Sequence, residues 1–326
     1  KRADLFNYIE SELKAIDGQL APAKTNEYGR ADQAAEWALL ARMYLNAEVY
    51  TGTPRYTDAI SYAKKVIGAG YTLVDHYNWL MLADNWKNTN EFILTINYDG
   101  IKTQNFGGTT FLNHGSIGGD MVANDYGAGG GWGGMRTTKT FTDLFPDLSG
   151  TKDKRAMFFT NGQSEDINDL SKFKDGIAVT KFRNKTRTGA NGSSLDYSDI
   201  DMPIFRLPEM YFIYAEALKR GGTGGDDATA LGYLNKIRER AYENTSGDIT
   251  SFDLDYILKE RGRELYWEGY RRTDLIRYGF FTSSTYTWPW KGGVKTGSGV
   301  ASYRKLYPIP SKDLTANPFL NQNPGY

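Results

Sequence analysis

The sequence has 326 residues, 40% of them hydrophobic and 24% charged, a length that fits one large or two small domains and a balance that excludes wholesale disorder. Lys plus Arg and Asp plus Glu both number 39, so the formal net charge is zero; the basic excess of a nucleic-acid binder is missing, and no nucleic-acid partner is expected. With no cysteine there is no disulfide, thiolate metal site or cysteine nucleophile, and no apolar run reaches the roughly 18 residues of a membrane helix.

The chain opens on KRADLFNYIESELKAID, which reads as an amphipathic helix with Leu5, Ile9 and Leu13 in line. A start inside a helix leads us to expect further sequence upstream. Residues 31–48 read as the next helix, with a stripe of small side chains (Ala34, Ala38, Ala41) beside Trp37, Leu40 and Tyr44. After a turn at Gly52 and Pro54, a helix over 55–68 carries Ala59, Ala63 and Ile67 in register, with Gly68 and Gly70 at its end. Large aromatic and small residues alternating across a helix–turn–helix are the pattern of a tetratricopeptide unit.

EFILTINY at 91–98 reads as a strand. From about 100 to 204 the texture turns to Gly, Asn, Asp, Thr and aromatics, with short strands such as IAVTKFRN at 177–184. Helices return at 206–220 and 226–243, the second with Asp226 or Asp227 as its cap. Tyr211, Tyr214, Ala215 and Leu218, followed by Ala230, Leu234 and Ile237, repeat the earlier pattern. Further helices are expected over 252–268 and 270–278. The tail 302–326, with four prolines, is expected to be extended.

Three stretches go beyond pattern: RLPEMYFIYAEALKRGG leading into LNKIRERA, RGRELYWEGYRRTDLIRYGFF at 261–281, and LYPIPSKDLTANPFLNQNPGY at the end. In this order and spacing they closely resemble the C-terminal half of the SusD/RagB family; residues 28–98 and GWGGMRTTKTFTDLF also look like segments of it. The resemblance implies a mostly α fold, a superhelix of tetratricopeptide-like helical pairs with an irregular, loop-rich, minor-β ligand-binding insert. It also implies a lipoprotein of the cell outer membrane, anchored by an upstream lipidated cysteine absent from this chain. Such a protein binds oligosaccharides, or in some members peptides, and delivers them to a SusC-like TonB-dependent transporter, without catalysis or cofactor. The organisation expected is a single domain over 1–326, with repeat helices and a strand at 1–100, the ligand-facing insert at 101–205, repeat helices at 206–278, and a C-terminal loop and tail at 279–326.

The candidate ligand groups lie at 106–136, where Phe106, Asn113, Asp120, Asn124, Asp125, Tyr126 and Trp132 stand among eleven glycines. A sugar ring has an apolar face on which aromatic rings stack and a rim of hydroxyls that amides and carboxylates bond. We read GAGGGWGG as a flexible loop displaying Trp132, because its G-x-G-x-x-G match lacks the strand before and the helix after that a dinucleotide site needs. Trp288 and Trp290 in TWPW form a second candidate pair. Arg261, Glu264, Glu268, Arg271 and Asp274 are read as a structural ion-pair network. Glu264 and Glu268 share a helix face and could span a glycosidase's shorter carboxylate distance, but neighbouring arginines would keep both ionised and remove the general acid. His76 and His114 lie far apart in sequence, and without HExxH or cysteine no catalytic zinc site is expected, and no residue is assigned as a metal ligand. Two other classes remain open: a tetratricopeptide adaptor binding protein segments, and a glycoside hydrolase on the same scaffold.

Overall fold

The computed structural model describes residues 1–326. The chain divides into two units, Lys1–Gly269 and Tyr270–Tyr326.

The first unit begins with α1 (Arg2–Ile16), α2 (Gln33–Leu45), the short α3 (Ala47–Thr51) and α4 (Tyr56–Gly68). The single helix expected over 31–48 breaks at Asn46. That buried amide donates to Arg42 O (2.8 Å) in its own last turn, and its backbone leaves the helical region. α2 packs on α4, and α4 on a later helix, α7 (Leu207–Lys219). The small-residue stripe is what lets them approach. Ala34, Ala38 and Ala41 on α2 and Ala59 and Ala63 on α4 are all fully buried, as helix axes about 8 Å apart require. α7 then pairs with α8 (Asp227–Tyr242), whose Asp226 cap accepts from Thr229 N (2.8 Å), and with α9 (Leu254–Leu265). Tyr211 and Tyr233 stack across the α7–α8 pair, centroids 4.5 Å apart. The first unit is thus a scaffold of packed helical pairs.

Between α4 and α7 the chain leaves the scaffold and returns. It departs along β1 (Phe92–Ile96) and comes back along β4 (Met202–Arg206), antiparallel, with Ile96 opposite Met202 and Phe92 opposite Arg206. The hundred or so residues between them are mostly loop. They hold α5 (Gly108–His114), α6 (Lys139–Thr142) and a second two-stranded ladder, β2 (Phe158–Phe159) with β3 (Ala178–Val179). The strand expected over 177–184 is therefore a two-residue ladder, because its partner is only two residues long. Phe145, Val179, Phe182 and Ile200 from this insert close onto Tyr77, Leu80, Phe92 and Tyr266 of the scaffold in one core.

Beneath that core lies a set of buried charges. Arg206 bonds Glu91, Glu264 and Glu268; Arg155 bonds Asp153 and Glu260; Arg240 reaches Glu91 and Glu264; Lys181 sits 2.6 Å from Glu268. Arg155, Arg206, Asp153 and the four glutamates have no exposed side-chain surface. Burial alone would raise the carboxyl of Glu264, but Arg240, Arg206 and Arg155 outweigh it and bring it down to about 2. Glu268 is likewise lowered against its burial, by Arg206 and Lys181. Neither glutamate holds a proton near neutral pH, so neither can act as a general acid.

A different buried carboxyl behaves in the opposite way. Glu36 on α2 is 4% exposed, and neither of its oxygens has a hydrogen-bond donor. Burial, followed by the nearby carboxylate of Asp17, raises it to about 7, with Lys65 opposing.

The second unit contains α10 (Arg271–Arg277) and α11 (Ser311–Ala316) among loops. The tail expected to be extended thus includes one helix, which starts directly after Pro310, where a missing N–H costs nothing. Lys291 is buried and donates to Ser283 O and Tyr286 O, both 2.6 Å, so it staples the loop after α10.

Candidate ligand-binding site

An open aromatic face of the first unit is built by α5 and the loops on either side of it. Phe106 (61% exposed), Phe111 (45%) and Trp132 (44%) stand together, with centroids 6.1 Å apart for Phe106–Trp132 and 6.0 Å for Phe111–Trp132. Behind Trp132 lies the buried imidazole of His114, nearly parallel to the indole at 5.1 Å. Tyr197 supports Phe106 at 5.2 Å. Burial lowers His114, so the ring is neutral at neutral pH, and its Nδ1 donates to Gly130 O (2.9 Å). That bond fixes the ring on which the tryptophan lies.

The local sequence explains the arrangement. Phe111 and His114 are three apart on α5 and so share a face. The helix starts at Gly108, whose left-handed backbone (φ +54) favours glycine and where a Cβ would have to displace the Tyr98 ring, 1.9 Å away at its hydroxyl. The tryptophan loop is tied down rather than flexible. Trp132 N donates to His114 O, Gly133 N to Ile117 O, and Gly134 N and Met135 N to Gly115 O, all at 2.7–3.1 Å. A Cβ on Gly131 would lie 2.3 Å from Ile117 O, so this glycine serves close backbone packing.

The other candidates divide. Asn113 is fully buried, its amide placed to donate to Phe182 O (3.1 Å) and Tyr126 O (3.3 Å), and it presents nothing to solvent. Tyr126 is half-buried against Ile117 and Met121. Asn124 is exposed and accepts from Asn191 (3.0 Å). Asp120 is paired with Lys174 at 2.7 Å. Asp125 is exposed and faces a separate cavity lined by Trp79 and Arg183. Trp288 and Trp290 belong to the second unit, where Trp288 is near Phe281 (6.5 Å) and Lys291 Nζ lies 4.6 Å from its ring; Trp290 has a left-handed backbone (φ 68). Of the charged set, Glu264 and Glu268 sit in the buried network described above, and Arg261 stacks over Phe212 at 5.6 Å. In the second unit Arg271 donates to the Tyr286 hydroxyl and Asp274 pairs with Arg277 (2.8 Å). Sequence reading did not find Phe111, His114 or Tyr197 as parts of the aromatic face. Phe111 and His114 were visible only as a pair three apart.

Helical-repeat scaffolding that carries an irregular insert with an open, rigidly backed aromatic face defines a class of protein, and comparison with known proteins gives it a family. The sequence profile of the SusD family matches residues 157–326, just over half of the chain, and the chain belongs to that family. It is similar to the starch-binding protein SusD of Bacteroides thetaiotaomicron, 36% identical over 375 aligned positions that take in all of this chain and 66% of that protein. A SusD-like protein of Bacteroides ovatus is 26% identical, over 85% of this chain and 51% of its own length. The chain thus spans between half and two thirds of these two relatives. Among solved structures, surface glycan-binding protein A from Bacteroides thetaiotaomicron in complex with laminarihexaose has the same fold. Its TM-score is 0.73 at 24% identity, over 99% of this chain and 70% of that one. A laminarin-binding SusD-like protein gives 0.72 at 23%, over 99% and 69%.

Proposed function

We propose that this chain binds oligosaccharides without turning them over, at the bacterial outer-membrane surface, and delivers them to a SusC-like TonB-dependent transporter. The observation that carries the reading is the Phe106–Phe111–Trp132 face, open to solvent yet held from behind by His114 and Tyr197. Rings fixed before the ligand arrives lose little entropy on binding. Each aromatic covered by a sugar contributes about 1.5–3 kcal/mol, so two or three give a site in the micromolar to millimolar range, weak enough to release its cargo. The loop-rich insert at 101–205 is the ligand-facing part of the first unit. The absence of turnover is supported by the depressed carboxyls of Glu264 and Glu268 and by the relatives' description as binding proteins. The relative matched along the whole chain is a starch binder, which makes α-glucan the first ligand to try.

The test is calorimetric titration with maltoheptaose, laminarihexaose and a peptide pool, beside the Trp132→Ala variant. Saturable binding of a glucan, weakened about tenfold or more in the variant and with no new reducing ends, is the expected result. Binding of peptide alone, or glucan binding that ignores the loss of Trp132, would overturn the reading of this face.

A further inference from the structure

We infer that the chain carries a second ligand site, a cation-lined cavity formed around Trp79, Arg183, Lys185 and Arg187, which takes a sugar bearing a carboxylate or sulfate group. The cavity has a volume of about 390 Å³, within the range of small-molecule sites. It includes none of Phe106, Phe111 and Trp132. The inference rests on the glycan-binding reading only for the sugar; the charge of the cavity stands without it.

The cavity wall is the segment FRNKTRTG, bridged to neighbouring backbone at Arg183 and Lys185 and turning over Thr186–Gly189. Arg183 and Lys185 flank Asn184 in the bridged stretch and both line the cavity, as does Arg187 on the turn. Asn184 points the other way, buried, with its amide on Ser194 O (2.8 Å) and its Oδ1 accepting from Asp199 N (2.9 Å). The backbone of the segment is held on both sides. Arg183 N donates to Met81 O and Ala83 N to Lys185 O, while Thr186 N donates to Ala190 O across the turn. The three cations cannot move apart by shifting the chain.

Three like charges line one cavity and repel; the carboxylates beside them are Asp125 in the wall and Asp84, which accepts from Arg187 N (3.0 Å). Arg187 is partly satisfied: its guanidinium lies 4.4 Å from the Trp79 ring and donates to Asn88 Oδ1, while its Nε has no acceptor. Arg183 and Lys185 have no ion pair, and Arg183 Nε, buried, has no acceptor at all. The only carboxylate in the wall is that of Asp125, exposed at the rim. Burial lowers Arg183, so its charge is held at a cost. An oxyanion seated between Arg183 and Lys185 would supply the missing acceptor and the missing charge together. Trp79, with Arg187 against it, adds an aromatic wall, and the volume exceeds what a lone inorganic anion fills. Ring, cations and space together match an anionic sugar unit.

The probes are methyl glucuronide, galactose 6-sulfate, the neutral methyl glucoside and sodium sulfate, each titrated into the 326-residue chain while the Trp79 indole N–H is followed by NMR. We expect one of the two anionic sugars to shift that resonance saturably and the glucoside to leave it unmoved. Arg183→Gln and Lys185→Gln should each weaken the effect by about tenfold or more, while Trp132→Ala leaves it intact. Lys185 is only half-buried, so its variant remains informative if the Arg183 variant does not fold. No shift with either anionic sugar, an equal shift with the glucoside, or a response to sodium sulfate alone would each overturn the inference. Because the readout is Trp79 and not Trp132, a failure of glucan binding at the aromatic face is seen separately.

Discussion

Glu264 lies where three guanidinium groups converge, and replacing it with Gln tests whether the buried charges hold the insert to the scaffold. The carboxylate bonds Arg206, Arg240 and Arg155, and none of it is exposed. Glutamine keeps the shape and loses the charge, leaving buried cations under-compensated, a change that costs about 3–5 kcal/mol in such settings. The same figure follows from titration. The folded carboxyl sits at about 2 against an ordinary 4.5, a gap worth about 3 kcal/mol. Its sign is that of a depressed acid: the stabilisation is complete above the unfolded value and drains away as pH falls from about 4.5 toward 2. Urea unfolding followed by circular dichroism should therefore show Glu264→Gln less stable than the parent by about 3 kcal/mol or more at pH 7. By pH 3.5 the difference should have shrunk by about 1 kcal/mol, because in the parent alone this carboxyl takes up a proton on unfolding. A variant within about 1 kcal/mol of the parent at pH 7, or a difference that does not change between pH 6 and pH 3.5, would refute the reasoning.

Glu36→Gln should behave with the opposite sign. Its raised folded value, about 7, means that ionisation erodes stability as pH climbs from about 4.5 to 7. The variant should then match the parent at pH 4.5 and exceed it at pH 8 by about 1–3 kcal/mol in thermal or urea melts; an equal gap at both pH values would exclude the assignment. Gly131→Ala drives a methyl into the carbonyl of Ile117 and should displace the tryptophan loop, destabilising the chain by about 1–3 kcal/mol and weakening glucan binding in the same titration that tests Trp132. Asp226→Ala removes the bonds to Thr229 at the start of α8 and should cost about 1 kcal/mol of unfolding free energy without touching ligand affinity.

The scaffold was legible because its signals are local. The alanine stripes of α2 and α4, the Asp226 cap and the glycines after α7 each sit within a few residues of what they determine. The insert was less so. α5 went unread because GTTFLNH is short, opens on glycine and carries two β-branched threonines, all weak helix signals. The aromatic face was found only in part. Phe106 and Trp132 stand out by composition, but His114 joins them through backbone bonds between 114–117 and 131–135 that no periodicity announces. The charges tell the same story. Glu264 and Glu268 were read as a pair on one helix face, but α9 ends at Leu265 and Glu268 reaches the network from the turn that follows; Arg155 and Arg206 come from 109 and 58 residues before Glu264, a separation at which sequence spacing carries no geometric information.

The antiparallel pairing of β1 with β4 brings Ile96 and Met202 side by side, so the insert leaves and rejoins the helices through one narrow neck. Closing a flexible loop costs only about 0.6 kcal/mol more for each doubling of its length. A neck already zipped by the ladder relieves the helices of even that dependence. Lineages can therefore vary the outer loops beyond the neck, provided Phe145, Val179, Phe182, Arg155 and Lys181 still close onto the helices. For an engineer the same neck is a splice point for a cassette that re-creates that inner face, since its ends at residues 96 and 202 are already held in register.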